Sequence, residues 1–242
     1  LAHSLTRSCT VIVIMTVTVR SPLLYSLLLL LTQHHLFASC QWIQLGTAIT
    51  GEYSNSLCGN SVSISSDGNR VAIGEPNFDD GNGAVRVYYY RAHFGFWDRL
   101  GDYVEGYNED YFGYSVTLAG DGESFVAGAP KDSGNQGKCE RFQYTDGWDQ
   151  TGHDDERGYD NGDWFGVSVA TSYDGYIIAC GGAARNSAAG YVQVFEKIDR
   201  NDDDGTPWNN LGSDLVGAAA GDTFGDSMSI SSDGTRLAVG AS

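Results

Sequence analysis

Four stretches of this chain repeat one another with fixed internal distances, and that regularity limits the fold more than any other property of the sequence. CGNSVSISSDGNRVAIGEP begins at Cys58, FGYSVTLAGDGESFVAGAP at Phe112, FGVSVATSYDGYIIACGGA at Phe165 and FGDSMSISSDGTRLAVGAS at Phe224. Their leading glycines, Gly59, Gly113, Gly166 and Gly225, are 54, 53 and 59 residues apart. In every copy an Asp follows eight residues later (Asp67, Asp121, Asp174, Asp233) and a second Gly seven after that (Gly74, Gly128, Gly181, Gly240). Another Gly stands nine further on at Gly83, Gly137 and Gly190. Four of the five tryptophans, Trp42, Trp97, Trp148 and Trp208, precede the motif glycine by 17, 16, 18 and 17 residues.

The segments between these markers read as strands. Val62 and Ile64, Val116 and Leu118, and Met228 and Ile230 alternate with small polar residues, a period of two with one buried face. The Asp-Gly pairs that follow suit tight hairpin turns, because Gly accepts positive φ and Asp hydrogen-bonds its own backbone. A second apolar run comes next (Val71–Ile73, Val126–Ala127, Ile177–Cys180, Leu237–Val239). A third strand follows Gly83, Gly137 and Gly190, and a fourth carries the Trp in WIQLG, WDRLG, WDQTG and WNNLG.

Four short antiparallel strands per unit of this length make the blade of a β-propeller. The expected class is therefore all-β: a propeller of four-stranded antiparallel blades, incomplete at about three and a half, over residues 41–242, with repeat cores at 58–100, 112–151, 165–211 and 224–242. The stop inside the second strand of the fourth copy reads as a fragment. In such a meander the Asp-Gly turns and the variable hairpins share one face, and the long acidic loops share the other.

The Phe-Gly pairs at Phe112-Gly113, Phe165-Gly166 and Phe224-Gly225, with Gly128-Ala129-Pro130, resemble the FG-GAP repeat, the blade unit of integrin alpha-subunit heads and of many secreted or surface proteins. The Gly-Ala-Pro signature is altered to Gly74-Glu75-Pro76, Gly181-Gly182-Ala183 and Gly240-Ala241-Ser242 in the other copies. The resemblance covers residues 42–242 and implies a secreted or cell-surface binding or adhesion module with no catalytic residues. Calcium-binding members have a DxDxDG-type loop between the first two strands. The turn here, Ser65-Ser66-Asp67-Gly68 or its equivalent, carries one carboxylate, too few oxygens for the six to eight that calcium takes. Asp199, Asn201 and Asp203 are spaced as in a calcium loop, but the Gly comes one residue late and no Glu completes it, so a solvated hairpin tip is the simpler reading. No cofactor is expected beyond that calcium candidate.

The ends of the chain differ in composition. None of the 32 glycines precedes Gly46, and no Asp or Glu precedes Glu52. From Met15 the order is a short stretch closed by Arg20, an apolar run at Leu23–Leu31, and Ala38-Ser39-Cys40, which reads as a secretory leader over residues 1–40 cut after Cys40. A retained anchor is the alternative, yet neither apolar run reaches the roughly 20 residues of a bilayer span. Any membrane contact would come through an uncleaved leader or a C-terminal anchor beyond Ser242. Three cysteines then remain, Cys58, Cys139 and Cys180, an odd number without a CxxC pair, and they read as small buried hydrophobes.

Lys+Arg 14 against Asp+Glu 31 gives a net charge of −17, which repels nucleic acid. With only His93 and His153 beyond the leader, a histidine-based catalytic triad has little to draw on. Paired loop acids could hydrolyse glycosides, but the S-x-D-x-G-x-x-W box of propeller glycosidases is missing. An intracellular WD-repeat scaffold fits less well, since its period is about 40–45 residues. The remaining reading is an extracellular module that offers Asp110, Tyr111, Asp163, Trp164 and Asp222, in the loops before the Phe-Gly pairs, to a protein or glycan. Trp164 reads more simply as blade-to-blade packing.

Overall fold

A computed structural model describes residues 10–11, 42–151, 156–197 and 208–242. The expected leader and the calcium candidate Asp199, Asn201 and Asp203 lie outside the described residues, apart from β1 (Thr10–Val11), which pairs antiparallel with β2 (Ile49–Thr50). Blade one is β3 (Ser61–Ile64), β4 (Arg70–Glu75), β5 (Ala84–Arg91) and β6 (Phe96–Arg99), joined in that order, with β7 (Val104–Glu105) also paired to β5. Blade two is β8 (Ser115–Leu118), β9 (Ser124–Ala129), β10 (Lys138–Tyr144) and β11 (Trp148–Thr151). Blade three is β12 (Phe165–Thr171), β13 (Ile177–Gly182), β14 (Tyr191–Glu196) and β15 (Asn209–Asn210), with β16 (Leu215–Val216) on β14. The two-stranded sheet β17 (Ser227–Ile230) and β18 (Leu237–Gly240) begins a fourth. All pairings within blades are antiparallel between neighbours, so the four-stranded blade expected from the repeat is present.

The fourth strand departs from the simple reading. It is interrupted after Leu100 by Gly101, whose φ is +72°, and pairing with β5 resumes only at Val104. A side chain with a Cβ is strained there, which is why the Trp-x-x-Leu stretch ends in Gly. The WIQLG stretch at 42–46 forms no strand, although Leu45 still accepts a hydrogen bond from the Trp97 indole at 2.9 Å, as Leu100 does from Trp148 at 2.8 Å.

Blades pack face to face through the alternation of the first strand. Val116 and Leu118 are buried against Ala72, Val85 and Val87 of blade one, with Phe112, Phe125 and Phe142 filling the same cluster. Phe165, Ile178, Tyr191 and Phe195 meet Val126 of blade two in the next interface. The small residues of the first strand face the following blade instead. Ser61, Ser115 and Ser168 donate to the carbonyls of Gly113, Gly166 and Gly225 at 2.8, 2.8 and 2.5 Å. A Cβ on Gly74, Gly128 or Gly181 would overlap those same carbonyls, so the glycine next to last in each second strand is required by the close approach of the next blade. Where no described blade precedes, the apolar positions are open: Val62 is 54% exposed against 8% for its equivalent Val116.

The three cysteines are buried as expected, but two of them are not free. Cys139 on β10 and Cys180 on β13 form a disulfide between blades two and three, with Cα atoms 6.5 Å apart, while Cys58 is buried and takes part in no disulfide. Counting cysteines missed this pair because their side chains point into the same inter-blade seam from strands of different repeats.

Candidate functional site: the loop face

The loop after each fourth strand runs back onto the turn that joins the second and third strands of the same blade. Gly83 and Phe112, Gly137 and Phe165, and Gly190 and Phe224 form isolated parallel bridges there. Tyr111, Trp164 and Thr223 donate their backbone N–H to Gly81, Asn135 and Ala188 at 2.9, 2.9 and 2.7 Å. Lys131 and Ala184 donate theirs to the carbonyls of Asp110 and Asp163 at 3.1 and 3.2 Å. The turns beneath are built on left-handed residues, among them Asp79 and Asp80, Ser133 and Gly134, and Asn186 and Ser187. Such runs are uncommon for residues with side chains and persist only where surrounding bonds fix them. The result is one face on which loops of successive blades are held by repeated backbone bonds.

Two of the expected ligand carboxylates are spent within this scaffold. Asp110 is 1% exposed; its Oδ1 accepts from the Phe112 N–H at 3.0 Å and its Oδ2 lies 3.4 Å from Lys138 Nζ. Asp163 is 3% exposed and accepts from the N–H groups of Tyr159 and Asp160 and from the Tyr191 hydroxyl at 2.9, 3.1 and 3.2 Å. These two hold loops in place and are corrected from ligand contacts to loop anchors: a buried N–H needs an acceptor, and the Asp three residues before the motif Gly supplies it. Asp222 does the same more openly, accepting from Ala219 N–H at 2.8 Å. Tyr111 is half-buried, with the Lys131 ammonium 3.4 Å from its ring centroid. Trp164 is 46% exposed, so the packing role expected for it is not observed. The five residues thus belong to three separate loops and do not converge on a single point; they are equivalent positions of successive blades.

Each loop also meets a cation, buried for Arg86 and Lys138 and partly buried for Arg185, which the repeat pattern does not mark. Arg86 pairs with Glu75 and lies 5.1 and 5.0 Å from the rings of Phe78 and Tyr103. Lys138 lies 3.2, 3.4 and 3.8 Å from Glu140, Asp110 and Asp132. Burial opposes its charge, yet Glu140, Asp110 and Asp132 outweigh that and hold its pKa above the ordinary lysine value, while burial raises the Asp110 carboxyl against the pull of Lys138. Arg185 stacks 4.0 and 4.9 Å from Tyr159 and Tyr191 and lies 3.4 Å from Asp214. Burial, followed by Asp163, raises the Tyr191 hydroxyl, which therefore stays protonated and donating. The three cations come from non-equivalent positions, which explains why the repeat alignment does not reveal them.

On the opposite face the Asp-Gly turns are likewise bonded from blade to blade: the N–H groups of Ser66, Asp121 and Tyr173 donate to the carbonyls of Gly120, Tyr173 and Ser232 at 2.9, 3.1 and 2.9 Å, while each turn also holds its own Asp. Asp67 accepts from the Ser65 hydroxyl at 2.6 Å and the Asn69 N–H at 2.9 Å, and Asp174 and Asp233 repeat the arrangement with Ser172 and Ser231. The Ser65 hydroxyl, then Asn69, pulls the Asp67 pKa below its ordinary value. Among the described residues no group of three or more His, Cys, Asp or Glu is placed to hold a metal ion. An open cleft of about 340 Å³ lies between the Asp102–Val104 segment of blade one and the Asp146–Asp149 hairpin of blade two. Among the described residues no helix is long and apolar enough to cross a membrane.

No family model matches the chain, and no curated protein matches it in sequence. Solved structures do resemble it. The periplasmic gluconolactonase PpgL of Pseudomonas aeruginosa is 14% identical with a TM-score of 0.54, over 81% of this chain and 54% of that one. KlAtg21, solved in complex with the coiled-coil of AgAtg16, is 14% identical with a TM-score of 0.52, over 84% of this chain and 53% of that one. TolB of Acinetobacter baumannii is 13% identical with a TM-score of 0.46, over 80% and 40%. The chain thus spans about half the length of the solved structures it resembles or less, and at this identity the likeness is one of fold alone. That fold is the β-propeller, of which the described residues form an arc of three blades and the first two strands of a fourth.

Proposed function

We propose that this chain is part of an exported, non-catalytic binding module of the FG-GAP kind, which engages an extracellular protein or glycan through the loops that precede its Phe-Gly pairs. The observation that carries the reading is the loop face itself. Successive loops are fixed on neighbouring turns by the same backbone bonds, so that Tyr111, Trp164 and Thr223 stand at equivalent points of one frame. Variable side chains on a constant scaffold are how loop faces acquire recognition without change of fold. The engagement of Asp110 and Asp163 as loop anchors favours binding over acid-pair hydrolysis, because neither carboxylate is presented to a substrate.

Export is supported by the leader-like order of residues 15–40 and by the Cys139–Cys180 bridge, since disulfides persist in oxidising compartments. The test is expression with the native leader. The expected product is secreted, begins at Gln41, has one free thiol, and binds glycan or peptide arrays saturably without converting chromogenic glycosides. Cytosolic retention of the uncut chain with all five cysteines reduced would contradict export, and turnover of a glycoside would contradict the non-catalytic reading.

A further inference from the structure

Blades two and three present the same seat on the loop face, filled in one and open in the other. Tyr111 and Trp164 occupy equivalent positions before the Phe-Gly pair, with φ of 60° and 56°, and both hang from a backbone bond of 2.9 Å to the turn of the preceding blade. In blade two the Tyr111 ring rests over Gly81, where an added Cβ would stand 3.0 Å from its Cε2. Its other partner is Lys131, whose ammonium sits 3.4 Å from the ring centroid.

The residue equivalent to Lys131 in blade three is Ala184, which makes the same backbone bond, to Asp163 instead of Asp110. The seat therefore keeps an aromatic ring and the backbone bonds, with Asn135 at the place of Gly81 and a methyl group where the ammonium extends. The ring is also enlarged from phenol to indole, the side chain that attracts cations best. Among the described residues no cation or ring contacts Trp164. Arg185, the cation of this turn, is directed onto Tyr159 and Tyr191 and toward Asp214. From residue 41 onward the chain carries 12 basic and 31 acidic groups, a balance of 12 − 31 = −19 that draws cations toward it.

We propose that Trp164 receives an ammonium group of a partner, a lysine or methylated lysine side chain, at the place over its ring that Lys131 occupies over Tyr111. The inference rests on the loop face being the binding face, and it names the chemistry recognised there. It is tested on the full chain by following the Trp164 indole N–H resonance, assigned with Trp164→Phe, during titration with choline and with 3,3-dimethylbutanol, its uncharged isostere. The expected result is a saturable shift with choline and none with the isostere. Ala184→Lys supplies the cation within the chain, and choline affinity then falls by about tenfold or more, the scale of one cation–aromatic contact. Lys131→Ala leaves the Trp164 response unchanged. Equal shifts from both compounds, no shift with choline, or full affinity in Ala184→Lys would overturn the inference. Glycan binding at this face with no choline response overturns the ammonium inference alone and leaves the binding face standing; if glycan and peptide arrays are silent too, both readings fall.

Discussion

Ser115 Oγ donates to the carbonyl of Gly166 across 2.8 Å, and that carbonyl sits where a Cβ of Gly128 would be. Ser61 with Gly113 and Ser168 with Gly225 repeat the contact in the neighbouring seams. Blade spacing is therefore set by backbone touching backbone, and the glycines of the repeat are fixed by contact with the next blade as much as by their own conformation.

Gly128→Ala should destabilise the chain by about 2–3 kcal/mol, because the overlapping atom is a backbone carbonyl that cannot swing aside. Gly147→Ala, at a site with nothing within 4 Å, should change stability by less than about 0.5 kcal/mol. Urea unfolding of the two variants gives the comparison, and equal midpoints would contradict the seam.

Phe125 is fully buried, stacked 5.0 Å from Phe142 and edge-on to Trp148 at 4.9 Å. Phe125→Ala should cost about 3–5 kcal/mol through lost burial and the cavity left behind. Calorimetry should show the loss as a lower Tm, with loss of near-ultraviolet dichroism at a temperature where the parent is folded.

The Cys139–Cys180 bridge closes a sequence separation of 41 residues. Its removal by Cys139→Ser with Cys180→Ser should lower stability by about 2–4 kcal/mol. Intact mass before and after alkylation should show one alkylated cysteine in the oxidised mature chain and three after reduction.

Asp67 has a folded pKa below its ordinary 3.8, through the Ser65 hydroxyl first and then Asn69. A lowered carboxylate contributes stability above its unfolded pKa and loses that contribution as pH falls through the folded value. Asp67→Asn should therefore be most destabilising near neutrality, with the gap to the parent closing below about pH 4. Because the turn is solvated, the effect is small and salt-screened. A gap that widens in acid would contradict the assignment.

The repeat spacing revealed the blades, the Asp-Gly turns and the face on which the long loops gather, because these depend on residues recurring at fixed distances. What recurs in type but not in role was not legible. Asp110 and Asp163 look like offered acids in sequence, yet Phe112, Tyr159 and Asp160 supply N–H groups that claim them. Cys139 and Cys180 meet across a seam from unlike strands, and an odd cysteine count hid the pair. Arg86, Lys138 and Arg185 neutralise three loops from three different repeat positions, so no column of the alignment marks them. Trp164 lies open for a reason visible only by comparison with Tyr111: the lysine that covers one ring is an alanine beside the other.

The binding face is tested most directly by array binding of two double variants, Tyr111→Ala with Trp164→Ala on the loop face and Asp67→Asn with Gly147→Ala on the opposite face. The account predicts that the loop-face variant loses the parent's glycan or peptide signal while remaining folded, and that the opposite-face variant keeps it. Retention by the first and loss by the second would place recognition at the Asp-Gly turns and contradict the account.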